Sequence, residues 1–220
     1  MRALVINRHD RFNGLDDTEV PSPSPANDEV SIEVQFAGVG LIDALWTTGR
    51  MPSRLGRIPG LEVSGTIREL GENVTTVTVG QKVAAILPST GGFAEVVCAP
   101  ASLVAEVPDD LTMDLASVVP INTVTAHLAL TTAIRFVPGE SLLIHAGAGG
   151  LGSQFAQVSR ALGAGRIDAV VGTDAKREIA LGFGYEHSYL RDDLSAIPGD
   201  TYDIVIDPVG GEATADAFRV

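Results

Sequence analysis

Ser141-Leu-Leu-Ile-His-Ala-Gly-Ala-Gly-Gly-Leu-Gly152 decides the fold of this 220-residue chain. Leu142, Leu143 and Ile144 form a short apolar run introduced by the turn Pro138-Gly139-Glu140, and read as a strand. Glycines at 147, 149 and 152 then give the spacing G-x-G-x-x-G, with Ala148, Gly150 and Leu151 between them. Each glycine has its own mechanical role. Gly147 permits the tight turn, Gly149 lets the backbone approach a pyrophosphate, and Gly152 lets helix and strand pack closely. A helix follows, with Phe155, Ala156, Val158, Ser159 and Leu162 at helical spacing and Gly163 and Gly165 ending it. Alone, this spacing describes only a tight turn. The second apolar run, Ile167 to Val171, completes the strand-helix-strand unit that a dinucleotide site requires, with helix amides and the positive dipole end facing the diphosphate.

Around this unit the chain has two textures. Residues 1–118 are short β-like runs, Ala3–Ile6, Val30–Phe36, Val63–Leu70, Lys82–Ile86 and Ala94–Cys98, cut by prolines and glycines, which predicts a small barrel or sandwich. Pro21-Ser-Pro-Ser-Pro25 is a stiff connector inside that half. Residues 119–220 alternate helices with single buried strands: a helix over Ala116–Ile134, the glycine-turn unit, a helix through Lys176–Leu181, and a strand over Tyr202–Ile206. That alternation means a parallel sheet with helices on both faces, hence an α/β chain.

Composition narrows the function. Hydrophobic residues make up 45 % and charged residues 20 %, within the range of ordinary globular proteins. A formal net charge of −13 argues against nucleic acid or an anionic membrane as partner. No apolar run approaches membrane-spanning length, and Met1–Ile6 is too short for a signal peptide. The single cysteine, Cys98, excludes an internal disulfide and a cysteine-rich zinc site. A cytoplasmic enzyme acting on a small molecule fits all of this.

With both halves placed, the chain resembles the medium-chain dehydrogenase/reductase superfamily, in its zinc-free quinone oxidoreductase branch. The resemblance is carried by Ala37-Gly-Val-Gly-Leu-Ile-Asp43 with Gly49, Pro59-Gly-Leu-Glu-Val-Ser-Gly65, Gly80-Gln-Lys-Val83, Gly91-Gly-Phe-Ala-Glu95, Thr125-Ala126, Ala146–Gly152 and Asp203–Gly211. It implies an N-terminal GroES-like barrel followed by a Rossmann domain. Zinc-dependent relatives place metal ligands where this chain has Gly40, Leu61 and a residue near Ile121. None of these three offers a side-chain donor, so no catalytic zinc is expected. Relatives continue past the Asp207-Pro-Val-Gly-Gly211 turn with further Rossmann strands and a return segment to the barrel. The Rossmann domain is therefore expected to be incomplete at its C-terminus, and the full-length form to be a homodimer.

The second strand of the nucleotide unit ends Val170-Val171-Gly172-Thr173, without the acid that NAD-preferring domains place there. Lys176 and Arg177 follow within one turn, and the resemblance sets Lys176 against the NADP 2′-phosphate. Two charge-assisted contacts of about 1.5–3 kcal/mol each favour NADPH over NADH. Asp174 is the complication, since it stands near enough to repel that phosphate. Tyr189 resembles a family tyrosine beside the adenosine. At the reacting end, Thr125 is a candidate contact to the nicotinamide, and Asp43 and Thr125 are the catalytic candidates. Bonding of Asp43 to backbone and a core role for His145 are weighed beside these. Glu62 reads as a buried carboxylate tying the barrel to the cleft. Leu41, Leu45 and Trp46 are expected to wall a pocket for a flat apolar electrophile.

The expected activity is zinc-independent hydride transfer from NADPH to a quinone or α,β-unsaturated carbonyl. Family positions that carry asparagine or tyrosine are here Gly40, Leu41 and Leu45. The alternatives are therefore an enoyl reductase of the polyketide type and a non-catalytic NADPH-binding pseudoenzyme.

Overall fold

Alternation of Val30 with Ile32 and of Val63 with Ile67 turns one face of two long strands inward, and the first half folds around that face. In the computed structural model, which describes residues 1–197, 199–211 and 214–215, the chain divides into two units, Met1–Ile121 and Asn122–Val220. The first contains β1 (Arg2–Ile6), β2 (Leu15–Glu19), β3 (Glu29–Ala37), α1 (Leu41–Thr47), β4 (Glu62–Leu70), β5 (Lys82–Ile86), β6 (Val96–Pro100), β7 (Val104–Glu106) and the short α2 (Met113–Ala116). Five strands form an antiparallel sheet in the order β6-β3-β4-β5-β7, and β1 pairs with β2 apart from it. Val30, Ile32, Val63, Ile67, Val83, Ala85, Val97 and Ala99 close one core on the sheet. Register shifts between Ser31 and Ile32 and between Val34 and Phe36 bend β3. This antiparallel unit is the small barrel expected of the first half.

The second unit is Rossmann-like. It contains most of α3 (Pro120–Leu128), then β8 (Ser141–His145), α4 (Gly150–Ala161), β9 (Arg166–Val171), α5 (Asp174–Gly182), β10 (Ser188–Leu190) and β11 (Ile204–Ile206). Its strands are all parallel, in the order β10-β9-β8-β11. A parallel strand in mid-sheet is covered on both sides, which is why β8 reads as an unbroken apolar run. Leu142 and Ile144 join Ile167, Ala169 and Val171 under Phe155, Ala156 and Ala180 of the helices. Leu143 and Val170 face the other way, against Leu194, Ile197, Tyr189 and Tyr202. The end of the domain expected over 119–220 includes residues 216–220, which lie outside the described residues.

Three expected elements differ. The helix expected over Ala116–Ile134 is broken, because Pro120 has no N–H and its ring would meet the carbonyl of residue 116. α2 ends at Ala116, and α3 starts at Pro120, a favoured first helical position. α3 then widens into a π-helical turn over Ala129–Ile134 that stops at Arg135 in the left-handed region (φ 59). There the Thr131 hydroxyl donates to the His127 carbonyl at 2.7 Å, the kind of side-chain bond that loosens a helix. The strand expected over Tyr202–Ile206 begins only at Ile204, because Asp203 instead accepts from the Ser141 amide and hydroxyl. The strand expected over Ala94–Cys98 runs Val96–Pro100.

On the face of β9 away from the main helices lies Asp168, wholly buried. A bare carboxylate there would be costly, but this one is surrounded by donors. It accepts from Arg166 (Nε, 2.7 Å), the His187 amide (3.0 Å), the His187 ring (3.3 Å) and the Tyr202 hydroxyl (2.6 Å). The Arg166 guanidinium also lies 5.2 Å from the centre of the Tyr202 ring. One side chain thus ties β9 to the segments that lead into β10 and β11. Asp168→Ala strands these donors and is expected to cost on the order of 3 kcal/mol, read as a lower urea midpoint. A loss within error of zero would mean that the network is ornamental.

Candidate functional site

The turn after β8 is built by one alanine and three glycines. Ala146 takes the left-handed backbone (φ 54) that reverses the chain, and its carbonyl accepts from the Gly149 amide at 2.8 Å. This corrects the expected role of Gly147, which has no positive φ. Its constraint is packing: a Cβ there would stand 2.5 Å from the Ala169 side chain and 3.3 Å from the Tyr185 ring. At Gly152 a Cβ would fall 2.4 Å from the Ala146 carbonyl and 2.7 Å from the Gly147 Cα, so the first turn of α4 lies too close to the preceding turn for any side chain. Gly149 is different. It caps α4 in an extended conformation, and among the described residues a Cβ would meet only the Ala146 carbonyl, at 3.1 Å, with open space beyond.

The Ser153 amide makes a helical bond to Gly149 (2.9 Å). The amides of Gly150, Leu151 and Gly152 precede it, so they have no carbonyl of their own helix to bond and add to the positive end of the dipole. Asn122 borders Gly150, and the Thr123 hydroxyl donates to Gln154 at 2.8 Å, fixing the start of α3 on α4. A pyrophosphate fits this cradle of free amides, small residues and open space.

Tyr185 is the residue that sequence reasoning missed. It is buried, its ring packs on Gly147, and its hydroxyl donates to the Gly152 carbonyl at 2.6 Å. Burial pushes its pKa up, so it stays a neutral donor. Only its place two residues after the helix-ending Phe183 hinted at burial; nothing in the spacing linked it to a turn 33 residues away.

At the tip of β9, no atom of the described residues would crowd a Cβ on Gly172, and Thr173 caps α5. Lys176 is exposed and, among the described residues, has no carboxylate within ion-pair distance. Arg177 is engaged: its Nε donates to the Ser188 carbonyl (3.1 Å), and Asp174 lies 3.5 Å from its Nη1. The Tyr189 hydroxyl accepts from Arg166 at 3.2 Å, at the start of β9, so it does not join the cluster at the strand's tip. His145 is buried at the end of β8. The pairing of Ile206 with Ile144 sets Asp207 beside it. Burial works to raise the Asp207 pKa, but the Thr214 hydroxyl, the Gly210 and Val209 amides and the His145 charge together lower it.

In the first unit Asp43 is buried with both oxygens used. Oδ2 accepts from the Gly40 amide and Oδ1 from the Gly60 amide, each at 2.9 Å. It locks the start of α1 to the strand-entry loop. Glu62 is also buried and accepts from the Ile121 amide at 2.8 Å. The expected wall of three apolar residues is split: Leu41 is 77 % exposed, Leu45 is half-buried, and Trp46 is buried with the Arg57 guanidinium 4.0 Å above its ring. Thr125 is exposed on α3. Cys98 is half-buried on β6, and burial pushes its thiol up to about 11, where it is inert at neutral pH. Among the described residues no group of three or more His, Cys, Asp or Glu could hold a metal ion.

Burial, reinforced by the neighbouring Asp43 charge and opposed by the Ile121 amide, raises the Glu62 pKa above its usual value of 4.5. A carboxyl raised on folding stabilises the fold below that value and loses this contribution as pH climbs through the raised one. Glu62→Gln should therefore flatten this loss of stability above pH 4.5, while keeping an acceptor for Ile121. Identical pH–stability curves for the two proteins would contradict this.

The model of the alcohol dehydrogenase GroES-like domain matches residues 26–109. Among curated proteins, the synaptic vesicle membrane protein VAT-1 homolog-like of Mus musculus is 29 % identical over 100 % of this chain and 54 % of its own length. A phenolphthiocerol/phthiocerol polyketide synthase of Mycobacterium tuberculosis is 32 % identical over 99 % of this chain and 10 % of its own. The chain thus spans about half the length, or less, of these relatives. A mycobacterial quinone oxidoreductase structure is 31 % identical and superimposes with TM-score 0.82, covering 99 % of this chain and 69 % of its own. A mycobacterial structure complexed with NADPH gives 31 % identity, TM-score 0.84 and the same coverage. A barrel-type first unit, a parallel nucleotide-type second unit and these likenesses along nearly the whole chain lead to one assignment: it belongs to the medium-chain dehydrogenase/reductase superfamily, with the quinone oxidoreductases.

Proposed function

We propose that this chain carries the barrel and the nucleotide-binding part of an NADPH-dependent, zinc-independent reductase that passes hydride to a quinone or an α,β-unsaturated carbonyl. The observation that carries the reading is the first turn of α4: amides at 150–152 without helical partners, at the end of a buried parallel strand, with open space outside Gly149. Likeness to a structure complexed with NADPH supports the choice of ligand.

Bound there, the dinucleotide supplies the hydride. The chain's own residues do the holding. The amides of Gly150, Leu151 and Gly152 take the pyrophosphate, Ala148 and Gly149 leave it room, and Tyr185 keeps the turn rigid from beneath. Gly172 and Thr173 border the adenosine ribose, and Lys176 meets the 2′-phosphate. Arg177 would have to release Ser188 to do the same, so Lys176 carries most of the selectivity. Asp174 is turned toward Arg177, which weakens its repulsion of that phosphate.

For the reacting end, Thr125 remains the proposed nicotinamide contact, and Leu41 and Leu45 the proposed substrate-side residues, while Trp46 is given up to packing under Arg57. Asp43 spends both oxygens on backbone amides, so we assign it a structural role. Quinones and conjugated enones suit a site without a dedicated acid, because solvent can deliver the proton after hydride transfer. Gly40, Leu61 and Ile121 offer no zinc donor, which supports zinc-independence. A cytoplasmic location and a dimeric full-length form complete the proposal. Similarity to the polyketide synthase favours a second reading, enoyl reduction in polyketide synthesis. Turnover of an acyl thioester in preference to a free quinone would select it. A pseudoenzyme would bind NADPH and reduce neither.

Gly149→Val should abolish NADPH binding, followed by cofactor fluorescence, while the first unit stays folded; retained affinity would displace the pyrophosphate from this turn. Lys176→Ala should weaken NADPH about 10- to 100-fold, the worth of one charge-assisted contact, and leave NADH nearly unchanged. Equal losses for the two cofactors would contradict the role of Lys176.

A further inference from the structure

In a chain of net charge −13, Arg50, Arg54 and Arg57 fall within eight residues, and no Asp or Glu occurs between Ala44 and Leu61. The facing stretch, Val83 to Ala94, has none either. The two stretches border an open groove of about 610 Å³ whose lining includes Pro52, Arg54, Leu55, Arg57, Ser89 and Thr90. All of it belongs to the unit Met1–Ile121.

Arg57 is pre-positioned. Its guanidinium stacks 4.0 Å from the centre of the Trp46 ring, and its Nε donates to the Thr90 hydroxyl at 3.2 Å. No ion pair forms among the described residues at Arg50, Arg54 or Arg57, so the two outer amino groups of Arg57 are left for a ligand. Thr90, a β-branched residue, is buried in the left-handed region (φ 66). Such strain persists only where the surroundings impose it, and it gathers at ligand clamps. Here it holds the hydroxyl that orients Arg57. Exposed Ser89 adds a hydroxyl, and Leu55, 58 % exposed, offers an apolar bed beside the charges.

We propose that this groove binds a phosphate group borne on an organic ligand. Paired guanidinium forks suit a tetrahedral oxyanion carrying more than one charge, and Leu55 with Pro52 would take the adjoining carbon chain. A coenzyme A thioester has this chemistry; inorganic phosphate shares only the charged part. The proposal does not depend on the reductase reading, because the groove uses none of the nucleotide-turn residues.

Calorimetric titration of the 220-residue protein, at low salt, with coenzyme A and separately with inorganic phosphate, tests this. Saturable coenzyme A binding is expected, weakened at least about tenfold in Arg54→Gln and again in Arg57→Gln, and falling with added salt. Among the described residues Arg54 stacks on no aromatic ring as Arg57 does on Trp46, so Arg54→Gln reports on the site even if Arg57→Gln disturbs the fold. Tighter binding of coenzyme A than of phosphate confirms the organic arm. Comparable binding of both, lost in the variants, keeps the phosphate site and removes the arm. No saturable binding of either, or unchanged affinity in Arg54→Gln, overturns the proposal.

Discussion

The tightness of the turn between β8 and α4, which admits a Cβ neither at Gly147, against Ala169 of β9 and Tyr185, nor at Gly152, against the backbone of Ala146 and Gly147, is the constraint on which the second unit depends. Because the helix starts against the strand, its unbonded amides emerge at the end of the sheet, where an anion can reach them. The same contact lets Phe155 and Ala156 cover Leu142 and Ile144. Tyr185 closes the arrangement by bonding the Gly152 carbonyl from below. A wider spacing would loosen the core and tilt the amides away together, so packing and binding are one feature here.

The first unit is organised by carboxylates that hold backbone. Asp43 joins Gly40 to Gly60, and Glu62 takes the Ile121 amide. Asp168 does the same kind of work in the second unit. Buried acids invite a catalytic reading, and the role we propose for them is structural, because each already holds its donors in the folded protein. The positions most open to a ligand are glycine, backbone amide, Lys176 and the arginines of residues 50–57.

Much of this was legible in the sequence. Strand positions followed from β-branched runs between turn residues, and the order strand, glycine turn, helix, strand implied the parallel sheet, because these signals are local. The α/β class and the likeness to quinone oxidoreductases also stood. What failed was non-local or strained. The left-handed residue of the turn is Ala146, although glycine is the residue that favours such a backbone. Pro120 broke a helix that periodicity alone ran through. Tyr185 and Tyr202 bond to partners 33 and 34 residues away in sequence, and no pattern of period two or 3.6 encodes such links. Trp46 was expected in the wall of a cleft, and its burial under the stacked Arg57 shows it turned inward.

The central claim is that the first-turn amides of α4 hold a dinucleotide pyrophosphate. Hydrogen–deuterium exchange of the chain with and without NADPH tests it at the atoms concerned. Slowed exchange is expected to concentrate in the peptide spanning residues 146–153, with a lesser effect at 172–177. Protection confined to other segments, or an exchange pattern indifferent to NADPH, would contradict it.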